Sequence, residues 1–127
     1  MEYSFVAVVV AATLAFVASA VWYAAFGGVV AKLSPHKRGG KMEAWEYAVE
    51  AVRPAIVAVA LGLVFDAIGL SSWVAALVYG VVLWFAFPVV LLAGSVVHEK
   101  VPVKLAAIHA GDWLVKILLI SVVVTLL

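Results

Sequence analysis

The chain has 127 residues, 69% hydrophobic and 12% charged, with a mean hydropathy of +1.27. Soluble domains carry about a quarter charged residues, so this composition excludes one and calls for a bilayer as solvent. A spanning helix takes about 20 residues, so four spans and short loops fill the sequence and leave no room for a separate catalytic or nucleic-acid-binding domain. A net charge of +1 and a pI near 8.0 exclude a polybasic, nucleic-acid-seeking protein, and the absence of Cys excludes disulfides, thiolate metal sites and a Cys nucleophile.

The first apolar run has no Asp, Glu, Lys or Arg from Tyr3 to Ala31, which predicts a span over about 4–31. Ala18-Ser19-Ala20 has the form of a signal-cleavage site. The segment before it, Met1-Glu2, lacks a positive side chain and the run continues past the site, so a retained helix is expected. Ser34-Pro35 and Gly39-Gly40 break the polar first loop. The second span, 47–68, starts with a charged turn and becomes apolar after Pro54. Ser71-Ser72 supplies a cap for a third span over 72–97. His98 to Pro102 forms the third loop, Pro102 standing where a first helical turn tolerates it, and the fourth span covers 103–127. The expected fold is all-α, a polytopic transmembrane four-helix bundle running up-down-up-down as one integral membrane domain.

Seven of the eight basic residues fall on one side of this topology: Lys32, Lys37, Arg38, Lys41 and Arg53 around the first loop, Lys100 and Lys104 around the third. By the positive-inside rule loops one and three are cytoplasmic and both termini lie outside, in what is expected to be the cytoplasmic membrane. Trp22-Tyr23-Ala24-Ala25-Phe26 echoes Trp84-Phe85-Ala86-Phe87, each late in an outward-to-inward helix. A duplicated helical hairpin and chance in a biased composition both account for the echo.

Ionisable groups in hydrocarbon cost at least about 2.5–3.5 kcal/mol, so those in the spans carry the information. His109, Asp112 and Lys116 lie three and four residues apart on one face of the fourth span, at mid-membrane depth. Asp112 preceding Lys116 is the favoured order for an intrahelical pair. One reading is a mutually neutralising pair that anchors the bundle, with His109 bonding another helix. The other is a polar pathway for an ion, a proton or a small solute.

The second span adds Glu43, Glu46, Glu50 and Arg53 at intervals of three, four and three. Glu50 and Arg53 are expected to pair locally, or Arg53 to reach Asp112. Pro54 frees the carbonyl of Glu50, which suits a wet cavity. Glu43 and Glu46 read as a solvated face, Asp66 as interfacial, His36 and His98 as solvated loop residues. No second acid–His pair completes a metal set with His109 and Asp112, so no metal or other cofactor is expected. Ser19, Ser95 and Ser121 are read as bonding backbone carbonyls. No nucleophile or phosphate-loop motif is present, so an enzyme is not expected. Trp45 and Trp73 read as interface anchors. Trp22, Tyr23, Trp84, Trp113 and Gly111 are candidate packing positions.

Trp22-Tyr23, the aromatic Trp84-Phe85-Ala86-Phe87, and the polar turn Val97-His98-Glu99-Lys100-Val101-Pro102 leading into Ala106-Ala107-Ile108-His109-Ala110-Gly111-Asp112-Trp113 together resemble one family. It is the bacterial and fungal membrane-protein family of domain of unknown function seventeen sixty-one, and the resemblance runs over most of the chain. It implies a four-span fold and no particular activity. The family pattern has an Asx-Ala-Gly-aromatic step after the turn. This sequence departs from it with His109 in place of Asn or Asp, Asp112 in place of an aromatic, and Lys116 in place of a neutral residue.

Two functions follow as expectations. The first is a transporter or channel subunit, assembled as a homo-oligomer through small residues on the first span (Ala11, Ala15 and Ser19, broadened by Ala18, Ala25 and Gly28), with Asp112 as the binding carboxylate, Lys116 and Arg53 modulating it and His109 as relay. The second is a non-transporting structural or regulatory subunit that docks a protein through its cytoplasmic loops.

Overall fold

The computed structural model describes residues 4–33 and 43–127. The first-loop breakers, His36, Lys37, Arg38, Lys41 and the N-terminal Glu2 lie outside the described residues. In order come α1 (Phe5–Leu33), α2 (Ala44–Ala67), α3 (Trp73–Trp84), a π-helical segment (Phe85–Val89), α4 (Val90–Glu99) and α5 (Val103–Leu126). The third span, Trp73–Glu99, comprises α3, the π segment and α4, so among the described residues four helices are long and apolar enough to cross a bilayer. The protein is an all-helical, multi-pass membrane four-helix bundle.

Local chemistry sets the boundaries. Ser4 Oγ accepts the Ala7 amide at 3.0 Å, which caps α1. At the start of α2, Glu46 turns back to accept the Glu43 amide at 2.8 Å, placing an acid at the positive end of the helix. Helix α2 ends where Leu70 N–H returns to the Phe65 carbonyl at 2.9 Å. Gly69, at φ +70°, adopts there the left-handed conformation that closes such an end. Ser72 caps α3 as expected, accepting the Ala75 amide. The third span, expected over 72–97, is present and contains the π segment. Pro88 inside it has no N–H to give to the preceding turn, and the helix widens to accommodate the lost bond.

In lipid the hydrophobic effect does not press helices together, so close fit and interhelical hydrogen bonds decide the packing. Ala7, Ala11 and Ala15 form a fully buried small-residue strip on α1. The first part of the strip expected to face a neighbouring protomer thus packs inside the chain, while Ala25 and Gly28 remain exposed. Helix α5 is the hub. It packs against α1, α2, α3 and α4, whereas α3 packs on α5 without comparable contact to α1 or α2. Buried residues make up 39% of the most apolar stretch of α5 but 11% of that of the third span. Gly80 lets α3 come close: a Cβ there would lie 2.9 Å from Ser121 Oγ. Trp45 and Trp73 are exposed, as are apolar side chains such as Phe5, Ile56, Val78 and Leu91, which form the surface suited to lipid.

Candidate functional site

A helix enclosed by its neighbours can carry charge without presenting it to lipid, and α5 does so. Asp112 and Lys116 are each 2% exposed. Lys116 Nζ lies 2.8 Å from Asp112 Oδ2 and 3.8 Å from the centroid of the Trp113 ring. The ammonium is therefore held by a carboxylate and a π face together. The other oxygen, Asp112 Oδ1, is buried and has no hydrogen-bond partner among the described residues.

Three side chains from two other spans converge on consecutive residues just before this pair. Trp22 Nε1 donates to the Ile108 carbonyl at 3.0 Å, and Trp84 Nε1 donates to the Ala110 carbonyl at 2.7 Å. Between them, the Tyr23 hydroxyl hydrogen-bonds His109 Nδ1. Gly111 makes this approach possible, because a Cβ there would meet the Trp22 ring at 2.5 Å. The two tryptophans that echo one another in sequence thus make the same kind of bond to carbonyls two residues apart on one turn of α5.

Across from this face stands α2. Arg53 pairs with Glu50 at 2.9 Å, and its guanidinium lies 5.2 Å from the Trp113 ring centroid. Of the two partners expected for Arg53, the structure has Glu50. Counted from Ala44 and Val103, Arg53 and Asp112 sit at the same height, each about 14 Å along its helix. Because α2 and the third span stand apart, a cleft of about 1070 Å³ opens between them. Its wall includes Tyr23, Glu46, Glu50, Arg53, His109 and Asp112, with aromatic side chains from all four spans. Trp45 and Glu46 stand at the end of the bundle that carries loops one and three, and the cleft runs inward to Val64 and Ile117.

The profile of the family described as "Protein of unknown function (DUF1761)" matches residues 6–125. The chain belongs to this family. No curated protein and no solved structure matches it. Within this DUF1761 chain, two of the three residues read as departures from the family pattern, His109 and Asp112, lie on the cleft wall, and the third, Lys116, lies behind it, bonded to Asp112.

Every candidate residue named from sequence lies in or beside this assembly: His109, Asp112, Lys116, Glu50 and Arg53 around the cleft, and Trp22, Tyr23, Trp84, Trp113 and Gly111 in the contacts that shape it. Asp66 is half-buried at the far end of α2, away from it. Ser95 bonds the Leu91 carbonyl as expected, at 3.3 Å, but the expectation for Ser121 is corrected. Its Oγ is buried without a hydrogen-bond partner among the described residues, because it faces the bare backbone of Gly80. Among the described residues no three His, Asp or Glu side chains gather as a metal ligand set. Sequence reasoning expected a wet cavity beside Glu50 and Pro54 but missed that it opens between α2 and the third span, and the part Tyr23 plays in it. The signal for the part of Tyr23 was its place beside Trp22, a polar tip next to a packing residue.

Proposed function

We propose that the protein is a transporter or channel subunit whose cleft admits a small solute or proton to the Asp112 carboxylate. The observation that carries this reading is Asp112 on the wall of a cleft that also holds Tyr23, His109, Glu50 and Arg53, its buried Oδ1 without a hydrogen-bond partner among the described residues. A pair kept solely for stability gains little over an apolar replacement, and a bundle held by packing has no use for the open face between α2 and the third span. In this reading Asp112 binds, Lys116 and Arg53 modulate its affinity, and Tyr23 with His109 relays at the entrance. The bias of basic residues puts loops one and three, and with them the cleft mouth, on the cytoplasmic side of the cytoplasmic membrane. A homo-oligomer belongs to the same reading, a second protomer covering exposed small residues such as Ala25 and Gly28. It uses no cofactor, no nucleic acid and no enzymatic chemistry. The test is pH-dependent uptake or conductance in proteoliposomes. Asp112→Asn abolishes it in a chain that still elutes as folded protein, and unchanged flux removes the reading.

One arrangement favours a second reading, a structural or regulatory membrane subunit. Lys116 is satisfied within its own helix by Asp112 and Trp113, as a self-neutralising pair would be. Such a subunit docks a protein through its cytoplasmic loops. Pull-down with the first loop from native membranes tests it, and recovery of no stoichiometric companion counts against it.

A further inference from the structure

We infer that the cleft binds an amphipathic organic cation, an ammonium carried on an apolar or aromatic body, and that Arg53 is its built-in competitor. This names the solute class for the site proposed above and rests on that reading.

Charge comes first. The cleft wall carries three carboxylates, Glu46, Glu50 and Asp112, against one guanidinium, Arg53. Lys116 is not part of the wall. Arg53 balances Glu50 and Lys116, behind the wall, balances Asp112, so Glu46 leaves the surface with one excess negative charge, which favours a cation over an anion. The rest of the lining decides what kind of cation. Hard inorganic ions take six or more oxygen ligands, whereas this wall is mainly aliphatic and aromatic, with Phe16, Tyr23, Trp45, Tyr47, Phe87 and Trp113 around it. Aromatic faces beside carboxylates recognise ammonium groups on apolar bodies. Asp112 Oδ1 supplies a buried acceptor that no described residue uses.

The protein already displays such binding with its own side chain. Arg53 is exposed, bonded to Glu50 at 2.9 Å and placed 5.2 Å from the Trp113 ring centroid. It occupies the carboxylate and π face that an incoming ammonium would take. Entry of the solute displaces the guanidinium, which its half-solvated position permits.

The full chain in lipid nanodiscs is titrated calorimetrically with 4-phenylbutylammonium and with its anionic counterpart 4-phenylbutyrate, empty discs correcting for partition into lipid. The ammonium binds saturably, at least about tenfold more tightly than the carboxylate. Asp112→Asn weakens the ammonium about tenfold. The double variant Asp112→Asn with Lys116→Met, which leaves no unpaired buried charge, weakens it likewise and serves if the single variant does not fold. Arg53→Gln tightens it several-fold, a direction that unfolding would not produce. Absence of saturable binding, equal binding of the anion, or no tightening by Arg53→Gln overturns the inference. Proton or ion flux in proteoliposomes without ammonium binding sinks this inference alone. Saturable binding without any flux sinks the transport reading and leaves the site.

Discussion

The Trp22 ring lies flush against the bare backbone of Gly111, so close that a single methyl group at 111 would fall 2.5 Å from ring carbon Cζ2 and 2.8 Å from Cη2. The same ring donates its N–H to Ile108, one turn earlier. Fit and hydrogen bond thus fix α1 against α5 at one point. It is the point from which His109 and Asp112 project.

Gly111→Ala therefore destabilises the bundle by about 1–3 kcal/mol through overpacking. Both clashing ring carbons are absent from phenylalanine, so Trp22→Phe in the Gly111→Ala background recovers part of the loss, although Trp22→Phe alone is destabilising. Thermal unfolding in detergent, read as a double-mutant cycle, gives the coupling.

Breaking the buried ion pair from one side leaves an uncompensated charge. Asp112→Asn and Lys116→Met each lower stability by about 3–5 kcal/mol, while the double variant costs far less than their sum. Additive losses in the same unfolding assay would mean that the two groups are solvated independently.

The third span is fastened to the rest mainly through α5. Removing the 2.7 Å bond from Trp84 to Ala110 by Trp84→Phe costs about 0.5–1.5 kcal/mol. The effect is regional: amide exchange quickens in α3 and the π segment and stays unchanged in the α1–α2 contact. Hydrogen exchange resolved by peptide measures this directly.

Lys100 ends α4 at φ +60°, a left-handed conformation that a side chain disfavours. Lys100→Gly relieves it and raises stability by about 1 kcal/mol, reduced by the lost bond from Lys100 Nζ to the Val97 carbonyl. A rise in unfolding temperature is the expected outcome.

How much of this was legible beforehand depended on the range of the physics involved. Span number and boundaries come from local hydropathy and breakers, and they lie within a few residues of the helices. The partnership of Asp112 with Lys116 is a spacing of four on one helix, equally local. The convergence of Trp22, Tyr23 and Trp84 on residues 108–110 joins positions far apart in the chain, and only their echo hinted at it. A wet cavity beside Pro54 was legible, but its opening between α2 and the third span was not, because it arises from a contact that is not made. Nothing in the third span's composition says that it leans on α5 and leaves α2 uncovered. Pro88 marks a weak point in that span, but the π widening also requires the neighbouring turns to yield.

The hub of the bundle, α5, follows the other spans in chain order. During synthesis the three earlier helices enter the bilayer before the common partner that joins the third to the first two exists. The acid and amine of α5 must then enter the bilayer together, before the other helices have closed around them. Four residues apart, they arrive already joined as a neutral dipole, which lowers the toll of insertion while the docking surface for the remaining helices is still being delivered.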